Sequence, residues 1–243
     1  TSAQAADLSL VVITLRGWLA PGTVRQVTPT FTLAAAGTLT PTWAAPTIPG
    51  SAIMLTVAST AGGAPFSVTA TGYTAVEVTQ STSYAGIFYK LAAASQSGAQ
   101  SFAFTCSGTG EVTAWLTEVV GIASFDVSDT DVRTSGTTTA ATNTTTQAWD
   151  FGISVVASDE NAATTDPVPT QPLTKVSGTT GLSAGNSHVF GLRFFGATGS
   201  QTLTWTTANT IQQLAHVAAF FKASNTAYSE RVSQFLAAHD TGT

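Results

Sequence analysis

Gly98-Ala99-Gln100-Ser101-Phe102-Ala103-Phe104-Thr105 and Gly199-Ser200-Gln201-Thr202-Leu203-Thr204-Trp205-Thr206 are one pattern written twice, about 100 residues apart. In both copies a glycine opens the segment and apolar residues then alternate with small polar ones. A side-chain period of two puts all the apolar residues on one face, which is the pattern of a half-buried strand. Two further pairs keep nearly the same offset: Val57-Ala58-Ser59 with Val156-Ala157-Ser158, and Tyr89-Lys90 with Leu192-Arg193. The chain therefore reads as two related halves, and the repeat has to be placed before a fold is named.

The same alternation runs through the rest of the chain, at 52–57, 75–78, 86–91, 111–120, 151–156, 173–176, 187–195 and 211–221. Threonine and the other β-branched residues favour strands sterically, so the fold class is all-β. Two arrangements satisfy the repeat: two small sandwiches in tandem, or one merged sandwich in which each half supplies a Greek-key set of strands, as in a jelly roll. The junction Val120-Gly121-Ile122-Ala123-Ser124-Phe125-Asp126-Val127 looks like a continuing strand or tight turn rather than a linker, which favours the merged form. The expectation is a jelly-roll-like antiparallel β-sandwich over 23–223, with a pseudo-repeat of 23–122 and 123–223. Residues 1–22 form an N-terminal arm or edge strand. Residues 224–243 form a short C-terminal amphipathic helix and tail, since Tyr228, Val232, Phe235, Leu236 and His239 recur at helical spacing. The Thr-rich tract Ser135 to Gln147 reads as a solvated strand edge or a loop, and the stretch Asp159 to Pro172, with three prolines, as a surface loop.

Composition narrows the function. Only 9% of residues are charged, against roughly a quarter in an ordinary soluble domain. Instead there are 45 threonines, and Thr, Ser, Ala and Gly together exceed half the chain. Eight Lys and Arg, scattered singly, cannot neutralise a run of phosphates, so no nucleic-acid partner is expected. The longest apolar stretch, 8–15 with two hydroxyls inside it, falls far short of the ~20 residues of a spanning helix, so no membrane insertion is expected. The stretch has no basic flank and follows Asp7, unlike a signal peptide. Its residues Leu8, Leu10, Val12 and Ile13 read as an edge strand, or as an arm that adds a strand to a neighbouring subunit. With Tyr228, Val232, Phe235 and Leu236 of the terminal helix they are the candidate assembly interface.

Groups able to hold or move charge are few. Cys106 is alone and alternates in phase with Phe102 and Phe104, so it reads as a small buried side chain. His216 reads as a half-exposed strand histidine, and no Gly-x-Ser-x-Gly elbow accompanies the histidines, so no catalytic residues are assigned. Glu111 and Glu118 lie seven apart on a strand and face opposite ways, unlike the paired carboxylates of a glycosidase. Asp126, Asp129 and Asp131 form a candidate calcium cluster, set against solvated turn residues; they lack the glycine and terminal glutamate of an EF-hand loop. No other cofactor is expected. Trp115, Trp205, Phe88, Phe102, Phe104, Phe194 and Phe195 sit in strand phase and read as core. Trp18, Trp43 and Trp149 lie near element boundaries and are the candidate ligand contacts.

The succession of Trp43, the strand Ile53 to Val57, the turn Gly72-Tyr73-Thr74, the strand Ile87-Phe88-Tyr89-Lys90-Leu91, Gly98 to Thr105, Trp115 to Val120 and Phe125-Asp126 resembles the β-sandwich proteins of bacteriophage minor tails and virion surfaces. The resemblance spans roughly 27–222. It implies a non-enzymatic structural role on the virion surface, as a minor tail or capsid-decoration subunit. The partners it implies are other virion proteins or copies of the chain itself, with a host surface glycan as a further partner. It brings no active-site residue with it. The alternative is a carbohydrate-binding or adhesin module of a bacterial surface protein.

Overall fold

The computed structural model describes residues 22–61, 66–108, 110–147, 150–160, 165–170, 173–180 and 185–224. The first half contains β1 (Thr23–Val27), β2 (Phe31–Leu33), β3 (Gly37–Leu39), β4 (Ala52–Ala61), β5 (Ser67–Thr69), β6 (Thr74–Gln80), β7 (Ser83–Lys90), β8 (Phe102–Thr105) and β9 (Gly110–Val120). The second contains β10 (Ile122–Arg133), β11 (Thr138–Thr145), β12 (Asp150–Glu160), β13 (Val168–Pro169), β14 (Thr174–Thr180), β15 (Asn186–Phe195), β16 (Gly199–Thr206) and β17 (Ile211–Ala223). The protein is an all-β, jelly-roll-like antiparallel sandwich built from two related halves.

The repeat is visible strand by strand. A large sheet of order β1-β9-β4-β7-β6 in the first half matches β10-β17-β12-β15-β14 in the second, and a small sheet β3-β8-β5 matches β11-β16-β13. Registers match as well: Val57 pairs with Gly86 and Ala114, and its counterpart Val156 with Val189 and His216. Counting from those pairs, Tyr89-Lys90 and Leu192-Arg193 fall at equivalent places. Both first strands carry a bulge, between Val24 and Gln26 in β1 and between Phe125 and Val127 in β10, so Arg25 and Asp126 are counterparts. The halves join without a linker, because Gly121 takes a positive φ of 79°, open to glycine at little cost, and turns β9 directly into β10.

Each half closes its own sandwich, so two sandwiches in tandem replace the expected merged one, and their large sheets stack face to face to give four layers and three cores. Ile53, Leu55 and Val57 of β4 point into the first half's own core with Trp43, Phe88, Phe102 and Phe104. Ala52, Met54 and Ala58, on the opposite face of the same strand, pack with Phe151, Phe190, Val217 and Phe221 of the second half. Val156, Leu203, Trp205, Leu214 and Phe220 fill the third core. The central strands are thus buried on both faces, which is why Ile53-Met54-Leu55 is an unbroken apolar run. Gly191 is required in β15 because a Cβ there would meet the Thr174 carbonyl at 2.8 Å and the Trp205 ring at 3.0 Å.

The hydroxyls occupy the outer layers. Ser200, Thr202, Thr204 and Thr206 of β16 and Thr138, Thr142 and Thr144 of β11 face outward from the small sheet, with a cross-strand bond of 2.8 Å between Thr142 and Thr202. In the first half a hydroxyl pair between β5 and β8, Ser67 and Thr105, lies at 2.7 Å. The tract 135–147 is accordingly an edge strand, β11, paired only with β16. The stretch 159–172 carries the end of β12 and the short β13. One core expectation is corrected: Phe194 is 47% exposed, at the end of the central interface, where Phe151 lies against it at 5.2 Å and Gly22 approaches its ring. Leu8, Leu10, Val12, Ile13, Trp18, Trp149, Tyr228, Val232, Phe235, Leu236 and His239 lie outside the described residues.

Candidate functional site

The groups that resemble chemistry in the sequence are mostly sealed inside. His216 is fully buried rather than half-exposed, because β17 has a core on each side and its even-numbered residues face the second half's own core. Its Nε2 lies 2.8 Å from Ser154 Oγ and its Nδ1 3.0 Å from Thr139 Oγ1. Thr139 donates to Asp131 Oδ2 at 2.8 Å, so its oxygen accepts from Nδ1–H, and Nε2 accepts from Ser154. Ser154 in turn accepts the Trp205 indole N–H at 2.9 Å. The chain Trp205, Ser154, His216, Thr139, Asp131 has the order of a hydrolase relay, but Ser154 is buried and its oxygen is already engaged, so no substrate carbonyl reaches it. Burial pushes the imidazole down to about 4 against the opposing pull of Asp131 and Asp129, and it stays neutral as a structural connector.

His188 lies in the interface between the halves. Thr60 Oγ1 lies 3.0 Å from its Nε2 and Thr113 Oγ1 2.8 Å from its Nδ1, both from the first half. Burial pushes it down to about 3. It satisfies two buried hydroxyls where the large sheets meet.

The three aspartates do not converge. They lie along β10 and accept in turn from β11 and the residue beyond it: Asp131 from Ala140 N at 3.0 Å, Asp129 from Thr142 N at 2.7 Å, and Asp126 from Thr146 N at 3.1 Å. Arg133 and Lys222 complete Asp131 and Asp126 at 2.8 and 3.3 Å. Burial alone would raise both carboxyls, but these donors hold them below the ordinary range. The row of carboxylates joins an edge of the large sheet to an edge of the small one, in place of a ladder. Among the described residues no group of three or more His, Cys, Asp or Glu is placed to hold a metal ion. Cys106 is half-buried, with its thiol directed to the Gly108 carbonyl at 3.2 Å.

An open groove of about 210 Å3 lies on the first half. It is lined by Thr69, Thr71 and Tyr73 from the turn between β5 and β6, Lys90 from the end of β7, and Gln96, Gln100, Ser101 and Phe102. Trp43, expected as a surface contact ring, is instead buried behind this groove at 4% exposure, because Leu39, Phe88 and Phe102 share its core. Its indole N–H donates to Gln96 Oε1 at 3.3 Å, and Gln96 Nε2 donates to the Tyr73 hydroxyl at 3.2 Å. Tyr73 rests edge-on against Phe102 at 5.6 Å. Its phenol is pushed up by burial, against the Gln96 bond, and so stays protonated with its O–H free to donate outward. Gln100 spends its amide N–H groups on the Ser97 and Ala99 carbonyls, leaving its carbonyl oxygen as an acceptor. The groove thus has fixed polar groups.

Its charge is also distinctive. Arg25, Arg133, Lys222 and Lys175 meet Glu118, Asp131, Asp126 and Asp166 respectively, and Arg193 stacks over the Phe195 ring at 4.3 Å. Lys90 has no carboxylate partner among the described residues, and its Nζ stands over the Gly72 turn, 3.7 Å from where a Cβ would lie. Tyr73 and Lys90 entered the sequence reading only as packing positions in a turn and a strand; the available signal was a lysine at a strand end in a chain with so few cations. No family model, no curated protein and no solved structure matches the chain.

Proposed function

We propose that this chain is a non-enzymatic structural protein of a bacteriophage virion, a minor tail or capsid-decoration subunit that packs against copies of itself or other particle proteins. The observation that carries the reading is the four-layer stack of two jelly-roll-like halves, with outer sheets covered in hydroxyls and with Ser154, His188 and His216 sealed in hydrogen-bonded cores. Jelly rolls are a recurrent solution for capsid and lectin domains. Surfaces of Thr and Ser associate with little of the desolvation cost that charges impose. Open edges at β3, β5 and β13 offer backbone groups to a neighbour. A second reading, a carbohydrate-binding or adhesin module, is favoured by the groove at Tyr73 and Lys90.

Light scattering on the whole chain, and on forms lacking 1–20 or 225–243, tests the assembly role. The expected result is a closed oligomer for the whole chain and monomers with unchanged far-UV circular dichroism for the trimmed forms. A whole chain that stays monomeric at the highest attainable concentration, and does not enter particles when added during their assembly, overturns it.

A further inference from the structure

We propose that the groove around Tyr73 and Lys90 binds a single carboxylated sugar unit, with the Lys90 ammonium pairing the carboxylate and Tyr73 and Gln100 reading ring hydroxyls. The proposal rests on the second reading above, that the groove takes a glycan, and adds the class of sugar. Size comes first: about 210 Å3 is below the ~300–1,000 Å3 of pockets that hold drug-sized ligands, and suits one sugar ring. Charge comes next. In a chain whose other described cations are paired or stacked, the one lysine in the groove lacks an anion, and a lone ammonium suits one carboxylate. A phosphate monoester carries more charge and is usually met by several donors from cations or a nest of backbone N–H groups.

The neutral groups match the rest of a sugar. Tyr73 O–H is a donor held in place by Gln96, which is itself held by Trp43; the Gln100 carbonyl is an acceptor held by two backbone carbonyls; Thr69, Thr71 and Ser101 act as either. Donors and acceptors fixed before binding lose little entropy when a ligand arrives, which is the condition for a small polar ligand to bind at all. The second half keeps a cation, Arg193, at the position equivalent to Lys90, and there Leu173 N bonds Thr170 O as Tyr73 N bonds Ala70 O. There Leu173 is buried in place of Tyr73, and Arg193 lies on Phe195. The tyrosine and the free ammonium are therefore particular to the first half.

The test is amide NMR of the uniformly labelled whole chain titrated with 3′-sialyllactose and with trigalacturonate, with lactose as the neutral sugar and inorganic phosphate as the bare anion. We expect at least one carboxylated probe to shift the amides of Thr71, Tyr73, Gln96 and Gln100, with affinity about tenfold above lactose. Lys90→Gln is expected to remove that advantage while leaving the melting temperature unchanged, and Tyr73→Phe to weaken the neutral part of the binding. Equal binding of lactose, or binding indifferent to Lys90→Gln, overturns the choice of a carboxylated sugar and leaves the glycan reading standing. Equal displacement by phosphate overturns recognition of the ring. No shift at the groove with any sugar overturns both.

Discussion

His188 and His216 are worth more to the folded protein neutral than charged. Held down to about 3 and about 4, they do not take up protons in the folded state where an unfolded histidine does, near 6.5. The unfolded chain therefore binds more protons from about pH 6.5 down to about pH 4, and stability falls with falling pH by about 1.4 kcal/mol per unit for each ring. Urea unfolding between pH 6 and pH 4 should show this slope, and His188→Gln should flatten it by one histidine's share. Asp150 acts in the opposite sense. Burial, then the charge of Asp126, pushes it up to about 6 from 3.8, so the stability it contributes is full below about 4 and lost as pH rises through 6. Asp150→Asn should raise the melting temperature most at pH 7.5, by about half as much at pH 5, and leave it nearly unchanged below pH 4, as read by scanning calorimetry. Of these three residues the sequence showed only the types: alternation assigns a face to His216, and nothing in it tells that both faces of β17 are buried.

The edges of the large sheets are held by carboxylates rather than by more strand. Glu118, on β9 and fully buried, accepts from Arg25 at 2.6 Å, Gln26 at 2.8 Å, the Ile48 amide at 2.6 Å and Ser51 at 2.9 Å. Burial alone would raise its pKa, yet these four donors hold it below the usual carboxylate range. It ties the β1 bulge to the loop before β4. Glu118→Ala strands the Ile48 amide and the buried Ser51 hydroxyl and should cost on the order of 2–4 kcal/mol, with Glu118→Gln losing less. Chemical denaturation of both variants checks the order. In the second half the same edge is held by the row Asp126, Asp129 and Asp131. Short spacing in the sequence made that row look like one cluster, but extended backbone advances about 3.3 Å per residue and spreads the carboxylates along β11.

Three cores in one chain make the two halves interdependent. The large sheets meet with β6, β7 and β4 of the first half against β17, β12, β10 and β15 of the second, most closely where β7 and β6 lie on β17. Trp115 and Phe190, with rings 4.9 Å apart, fill the β9 side, and Ala215 and Ala219 belong to the same core. The phenyl rings of Phe151, Phe190 and Phe221 and the side chains of Met54 and Ile87 would face water if the halves parted. Residues 22–122 and 123–224, made as separate chains, should therefore aggregate alone and form a soluble one-to-one complex when refolded together. Size-exclusion chromatography decides this, and two soluble independent monomers would show that each half's own core suffices. Trp115→Ala should cost about 3–5 kcal/mol in the whole chain, since it empties the interface core and leaves Thr30 without the indole N–H it receives at 3.0 Å.

Local pattern determined the strands, because a period of two follows from backbone geometry alone, and it determined the repeat, because related units keep their turn glycines and their core-facing positions. The all-β class, the two halves and the outward hydroxyls of β11 and β16 follow from these. Tertiary structure alone decided which surface each strand face meets. Ile53-Met54-Leu55 is the same apolar run whether one sheet or two cover it; closure of each half's small sheet over its large one made Trp43 and His216 interior residues, and the stacking of the large sheets did so for His188. The groove arose in the same way: Tyr73, Lys90 and Gln100 come from a turn, a strand end and a loop, and their approach depends on how the small sheet closes over the large one. Such long-range closure leaves no periodic trace in the chain, since it is set by the sum of many packing contacts rather than by the spacing of any few residues.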